Sequence, residues 1–95
     1  MNNFLIERRL KQLEIEIEKK NFKKISSDKY RGKVERFTVE VYRILNNVNK
    51  KYYWTFSVNL YGRLIVGGND FFENFQTAQQ HGIEVALNPE DFGIN

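Results

Sequence analysis

Two rhythms of apolar positions overlap in the first twenty residues. In LEIEIEKK, Leu13 to Lys20, the apolar Leu13, Ile15 and Ile17 alternate with Glu14, Glu16 and Glu18, the period-two pattern of a half-buried strand. Over a longer window Ile6, Leu10, Leu13 and Ile17 recur at spacings of four, three and four. At 100° per residue these four fall within about 60°, a single helical stripe. Glu7 with Lys11 and Glu16 with Lys20 are oppositely charged pairs one turn apart, with Glu nearer the N-terminus. No Gly or Pro precedes Gly32, and Asn21 is an end signal. The helical pattern is the longer of the two, so the spacing predicts a helix over residues 3–22. Ile15 then lies opposite the stripe, with Phe4 and Phe22 at nearly the same bearing. These three form either a partner-facing strip or a set of isolated exposed residues, and the second is the commoner case.

After the connector KKISSDKYRGK, the segment Val34 to Leu45 (VERFTVEVYRIL) is rich in β-branched and aromatic residues. Phe37, Val39 and Val41 share one face. NNVNKK reads as a hairpin loop. In YYWTFSVNLY, residues Tyr52, Trp54, Phe56, Val58 and Leu60 point one way, and Tyr53, Thr55, Ser57, Asn59 and Tyr61 the other. That alternation predicts an antiparallel strand with one solvated face. A tight turn at Tyr61-Gly62-Arg63 leads into LIVGG, a third strand.

A second helix is predicted across 71–87, with Phe71, Phe75, Ala78, Gly82, Val85 and Ala86 on one stripe. Asp70, Glu73 and Asn74 suit its start. Ala78 and Gly82 are small enough to let it lie close on the sheet. Asn88 and Pro89 then start a short final turn. The expected core is Phe37, Val39, Val41, Trp54, Phe56, Val58, Phe75 and Ala78. The expected fold is a single α+β domain over residues 1–95, two-layered, with a three-stranded antiparallel sheet and an N-terminal and a C-terminal helix (α-β-β-β-α).

Composition narrows the function. The absence of cysteine excludes disulfides, thiolate metal sites and thiol nucleophiles. The charged N-terminus lacks the apolar core of a signal peptide and no apolar run approaches a membrane span, so a soluble cytoplasmic protein is expected. The net charge of +3 is unevenly spread. Residues 1–51 hold 14 of the 15 Lys and Arg but 7 of the 12 acids, a net of +7, whereas residues 52–95 carry a net of −4. The first half is therefore suited to an anionic partner.

Catalytic groups are sparse. His81 is the only histidine and reads as a polar position on the second helix. Glu14, Glu16 and Glu18 at i, i+2 spacing cannot share one helix face. GGND lacks the Lys-Ser/Thr of a phosphate loop. No enzyme activity, metal, cofactor or small-molecule substrate is expected.

Binding has more material. Lys19, Lys20, Lys23, Lys24, Lys29, Arg31 and Lys33 crowd the end of the first helix and the connector, and Lys50 and Lys51 sit in the hairpin loop. Such clusters bind phosphate backbones by charge neutralisation and counterion release. Tyr42, Tyr53 and Tyr61, on the solvated sheet face, are candidates for stacking on bases. The expectation is a nucleic-acid binder, of structured RNA or of the DNA backbone. The alternative is a protein-binding adaptor or inhibitor, for example a phage-type protein acting on a host defence complex.

The order α-β-β-β-α resembles that of the double-stranded RNA-binding domain. NFQTAQQHGIEVAL, Asn74 to Leu87, keeps that family's spacing from the Ala of its Lys-Lys-x-Ala-Lys motif (Ala78) to a closing Ala86-Leu87. Phe75, Gln76 and Gln79 stand where the family has its three lysines. The resemblance implies duplex RNA as ligand, and those replacements remove the residues that grip phosphates across the major groove in the family.

Overall fold

The computed structural model describes residues 3–94, with side chains from Arg9 onward. Helix α1 (Asn3–Lys19) is followed by five strands, β1 (Lys23–Ser26), β2 (Lys29–Val34), β3 (Phe37–Asn46), β4 (Lys51–Leu60) and β5 (Arg63–Gly67). Helix α2 (Phe75–Leu87) and a 3-10 turn (Pro89–Phe92) complete the chain. The strands form one antiparallel meander in the order β1-β2-β3-β4-β5. The architecture is α+β as expected, but the sheet has five strands rather than three.

The two extra strands lie in the segment read as a basic connector. All of β1 is exposed, so it carries no inside–outside alternation to read. On β2 the inward positions are Tyr30, Gly32 and Val34, set against Lys29, Arg31 and Lys33. A glycine in the middle of that inward row erases the hydropathy signal, although the alternation is real. The pairing of Val34 with Phe37 and of Tyr30 with Val41 makes this strand part of the sheet.

Short connections fix the register. Ser27-Asp28, Glu35-Arg36 and Tyr61-Gly62 each separate a directly paired couple of residues. Tyr61 (φ 50) and Gly62 (φ 80) are both left-handed, as a two-residue type I′ hairpin turn requires. The longer β3–β4 loop is held by asparagine: Asn46 Oδ1 accepts from Val48 N at 2.9 Å, and Asn49 Oδ1 from Lys51 N at 3.0 Å.

The inner face of the sheet carries Val34, Phe37, Val39, Val41, Phe56 and Val58, all buried. Against it lies α2, contributing Ala78, Ile83, Val85 and Ala86. Asn74 caps α2, its Oδ1 accepting from Thr77 N at 2.9 Å and from Thr77 Oγ1 at 2.7 Å. The cap places the helix start at Phe75, so Phe71 lies outside the helical stripe. The neighbouring Phe72 instead exchanges two 2.8 Å backbone hydrogen bonds with Trp54. The final turn starts as expected, with Asn88 as its N-cap and Pro89 at its first position.

Helix α1 ends at Lys19, short of the expected residue 22, and it is rotated by half a turn from the expected orientation. Ile15 is 4% exposed and belongs to the core, whereas Leu10, Leu13 and Ile17 are 53%, 58% and 60% exposed. The stripe that should be buried faces away from the domain. The physical reason is the seat available to the helix: α2 occupies the inner face of the sheet. Helix α1 is left to pack against α2 and β2 at the side of the domain, where Ile15 lines a hollow together with Leu87 and Phe92.

The closeness of α2 to the sheet depends on Gly82. A Cβ built there would lie 2.7 Å from Val39 Cγ1 and 3.3 Å from the Phe56 ring. Gly82→Ala should therefore lower the melting temperature. Overpacking costs about 1–3 kcal/mol, which outweighs the gain of roughly 1 kcal/mol in helix propensity. An unchanged or raised melting temperature would mean that α2 can move off the sheet at little cost.

Candidate nucleic-acid interface

The meander keeps the two halves of the chain apart. The basic first half builds β1, β2 and β3, and the acidic second half builds β4, β5 and α2. The charge asymmetry of the sequence thus becomes a gradient across the sheet, basic at the β1 edge. Register places the side chains. Lys23 pairs with Arg31, Arg31 with Glu40, and Glu40 with Ser57, giving one row on the outer face, away from α2. A second row runs Lys29, Tyr42, Thr55, and a third Lys33, Thr38, Asn59. Lys29, Arg31 and Lys33 follow one another about 7 Å apart along β2.

Glu40 sits among these cations. Its Oε2 lies 2.7 Å from Arg31 and 3.7 Å from Lys29. Among the described residues, Lys20, Lys23, Lys24, Lys33, Lys50 and Lys51 form no ion pair. Lys19 is engaged within α1, where it donates to Glu16 at 3.0 Å and holds that carboxyl below its ordinary range.

The expected basic residues do not all converge. Lys23, Lys29, Arg31 and Lys33 share the outer face. Lys24 pairs with Tyr30 and belongs to the inner side of the edge. Lys19 and Lys20 lie at the exit of α1. Lys50 and Lys51 sit at the β3–β4 loop, where Lys51 pairs with Asn46, four residues beyond the partner of Lys29. That is roughly 13 Å along the strand.

The aromatic face is also rearranged. Tyr42 and Tyr53 lie on the outer face, on neighbouring strands. Tyr61 is in the β4–β5 turn, 91% exposed and about 25 Å along β4 from Tyr53. It therefore does not join a common platform. Phe71 takes that place instead, its ring centroid 5.4 Å from that of Tyr53. Sequence reading missed Phe71 because its spacing fits the stripe of α2. The Tyr42 hydroxyl reaches towards Gly68, where a built Cβ would lie 3.2 Å from it. The ring thus crosses β4 and covers Thr55, with the Lys29 ammonium 5.8 Å from its centroid. Beneath it Thr55 is fully buried, and its Oγ1 has no hydrogen-bond partner.

Of the strip expected from Phe4, Ile15 and Phe22, the described members Ile15 and Phe22 pack inward rather than forming an exposed surface. Phe4 falls outside the described side chains, and Ile15 is core. Phe22 packs on β2, its ring 2.5 Å from where a Cβ on Gly32 would be, so only glycine admits it there. The start of α2 is likewise occupied. The Phe75 ring lies 4.7 Å from Tyr30 and 5.3 Å from Trp54 between centroids, and Gln79 is buried. Two of the three positions that carry lysine in the double-stranded RNA-binding family are thus packed against this chain's own interior. His81 is exposed and stacks on Phe72 at 4.8 Å. Among the described residues no three His, Cys, Asp or Glu side chains are grouped to hold a metal ion. No helix of the described residues is long and apolar enough to cross a membrane. Comparison with protein-family models, with curated proteins and with solved structures finds no match to this chain.

Two consequences of the Tyr42–Thr55 stack can be measured. Replacing Thr55 by Val removes an unpaired buried hydroxyl while keeping the shape. It should stabilise the fold by about 1 kcal/mol, seen as a melting temperature raised by several degrees; a fall would mean that the hydroxyl is satisfied in solution. The Tyr42 hydroxyl is held above the ordinary tyrosine range, first by burial and then by the negative charge of Glu40. Since the folded state favours the protonated phenol, this contribution is complete below the ordinary value of about 10 and is lost as pH rises through the folded value. The urea midpoint should fall in that alkaline window, and fall less in Tyr42→Phe. An equal fall in both would assign the loss to another group.

Proposed function

We propose that the protein binds nucleic acid on the outer face of its sheet, with the basic edge on phosphates and Tyr42 and the Tyr53–Phe71 pair beneath the bases. The observation that carries this reading is the register. It puts Lys23, Lys29, Arg31 and Lys33 on the same uncovered face as these aromatic rings, in adjacent rows. Phosphate contacts supply affinity without reading sequence. Stacking on aromatic rings is tolerant of base identity because every base has a π-face. The expected ligand is accordingly a strand with accessible bases, and a duplex, whose bases are stacked internally, should bind more weakly. A cytoplasmic location belongs to this reading. The protein-binding alternative draws on a different surface, the exposed apolar side of α1.

Glu40 has a defined role in the proposal. It offsets the charge of Arg31 and Lys29 in the free protein, leaving Lys23 and Lys33 as the cations most available to phosphate. These two are also the safer ones to reverse, because neither makes an ion pair that the change would break.

The test is a fluorescence-anisotropy titration against single-stranded RNA, duplex RNA and duplex DNA at about 50 and 200 mM salt. Lys23→Glu with Lys33→Glu should abolish binding at the lower salt with the melting temperature nearly unchanged. Tyr53→Ala should weaken single-strand binding by about 1–3 kcal/mol. Absence of binding at the lower salt, or an affinity indifferent to the double reversal, would defeat the proposal.

A further inference from the structure

Leu10, Leu13 and Ile17 are each more than half exposed on one side of α1, while Ile15 on the opposite side anchors the helix to the domain. The spacing of three and four between them is that of a heptad, with Leu10 and Ile17 at its a positions and Leu13 at d. They span about 10 Å of helix. The seam is therefore a narrow row suited to one facing helix. It is neither a groove for a strand nor a broad sheet-packing surface.

Charges on the two flanks of the row indicate which helix faces it. Arg9 immediately precedes Leu10 on one flank, at a g position. Glu14 immediately follows Leu13 on the other, at e. Both are exposed, and neither makes an ion pair among the described residues. In a parallel two-stranded coil, the g residue of one helix meets the e residue five positions on in its partner. Arg9 and Glu14 are five positions apart. The next g position is Glu16, already engaged by Lys19 within its own helix. An antiparallel pairing brings like flanks together and would part Arg9 from Glu14.

From this arrangement we infer that α1 is a dimerisation helix, pairing in parallel and in register with α1 of a second copy of this chain. Leu10, Leu13 and Ile17 meet their own counterparts across the axis, and two Arg9–Glu14 pairs flank the seam. Because Ile15 lies on the far side of the helix, each domain hangs on the outside of the pair, and the outer sheet faces are not consumed by the contact.

The inference is independent of nucleic-acid binding and is tested without ligand. Sedimentation equilibrium of the full chain between about 10 µM and 1 mM should show a reversible monomer–dimer equilibrium. Leu13→Glu should leave only monomer, with circular dichroism and melting behaviour retained because the residue is exposed in the single domain. Arg9→Glu should weaken the dimer at low salt, and adding Glu14→Arg should restore it. Direction is read from Ile17→Cys, in a chain that has no other cysteine. Oxidation should yield a disulfide-linked dimer only when the helices run in parallel, since an antiparallel pairing of the same seam sets residue 17 opposite residue 10 and the two copies of residue 17 about 10 Å apart along the axis. A monomer at every concentration overturns the inference, as does a dimer that survives Leu13→Glu. So does a dimer in which Ile17→Cys fails to cross-link or the charge exchange fails to restore association.

Discussion

The close seating of α2 on the sheet organises the rest of this molecule. Ala78 and Gly82 have almost no side chain to hold the helix away, and Val39 and Phe56 fill the space beneath Gly82. Once α2 takes the inner face, two things follow. The outer face has no helix left to cover it and stays open to solvent apart from the rings lying on it. And α1, the longer helix, is left with a peripheral seat. Among its described side chains it reaches the core through Ile15, and it keeps Leu10, Leu13 and Ile17 outward.

Strand order then does for charge what helix packing does for apolar surface. A meander preserves sequence order across the sheet, so a sequence with a basic first half and an acidic second half folds into a sheet with a basic edge. A fold with crossovers would have interleaved the strands and cancelled the gradient. The counterweight is Glu40 on the central strand, which engages Arg31 and Lys29. Tyr42 is shaped by the same neighbourhood. Its ring covers Thr55, and burial together with the Glu40 carboxylate keeps its phenol protonated.

The sequence was most legible where one face is buried and the other is not. The ten-residue β4, the inner row of β3, the Tyr61-Gly62 turn, the Asn88-Pro89 start of the final turn and the close approach of Gly82 all follow from alternation or from backbone preference. The β1–β2 hairpin did not show, because a fully exposed edge strand has no alternation and Gly32 interrupts the inward row of its neighbour. The rotation of α1 was illegible for a different reason. Periodicity reports that a stripe is apolar, but the partner it faces is set by which surfaces the other elements have already taken. Of the candidate site, the lysines of β2 were found by composition alone. Their convergence with Tyr42 and Tyr53 needed the register, and Phe71 needed the Asn74 cap that keeps it out of the helix.

The meander has a further consequence, for how the chain reaches its fold. Every strand pairs with its neighbour in sequence, and three of the four connections are two residues long. The loops to be closed are short, so the entropy lost in closing each is small and the average separation of contacting residues is low for a sheet protein. The sheet can grow one hairpin at a time from β3 and β4, the longest pair, with α2 closing over it from the chain immediately downstream. Helix α1 must come from the far end of the sequence to meet α2. Its docking is a long-range step that, among the described side chains, rests on one buried residue of the helix, and α1 is accordingly the element that a passing fluctuation releases first.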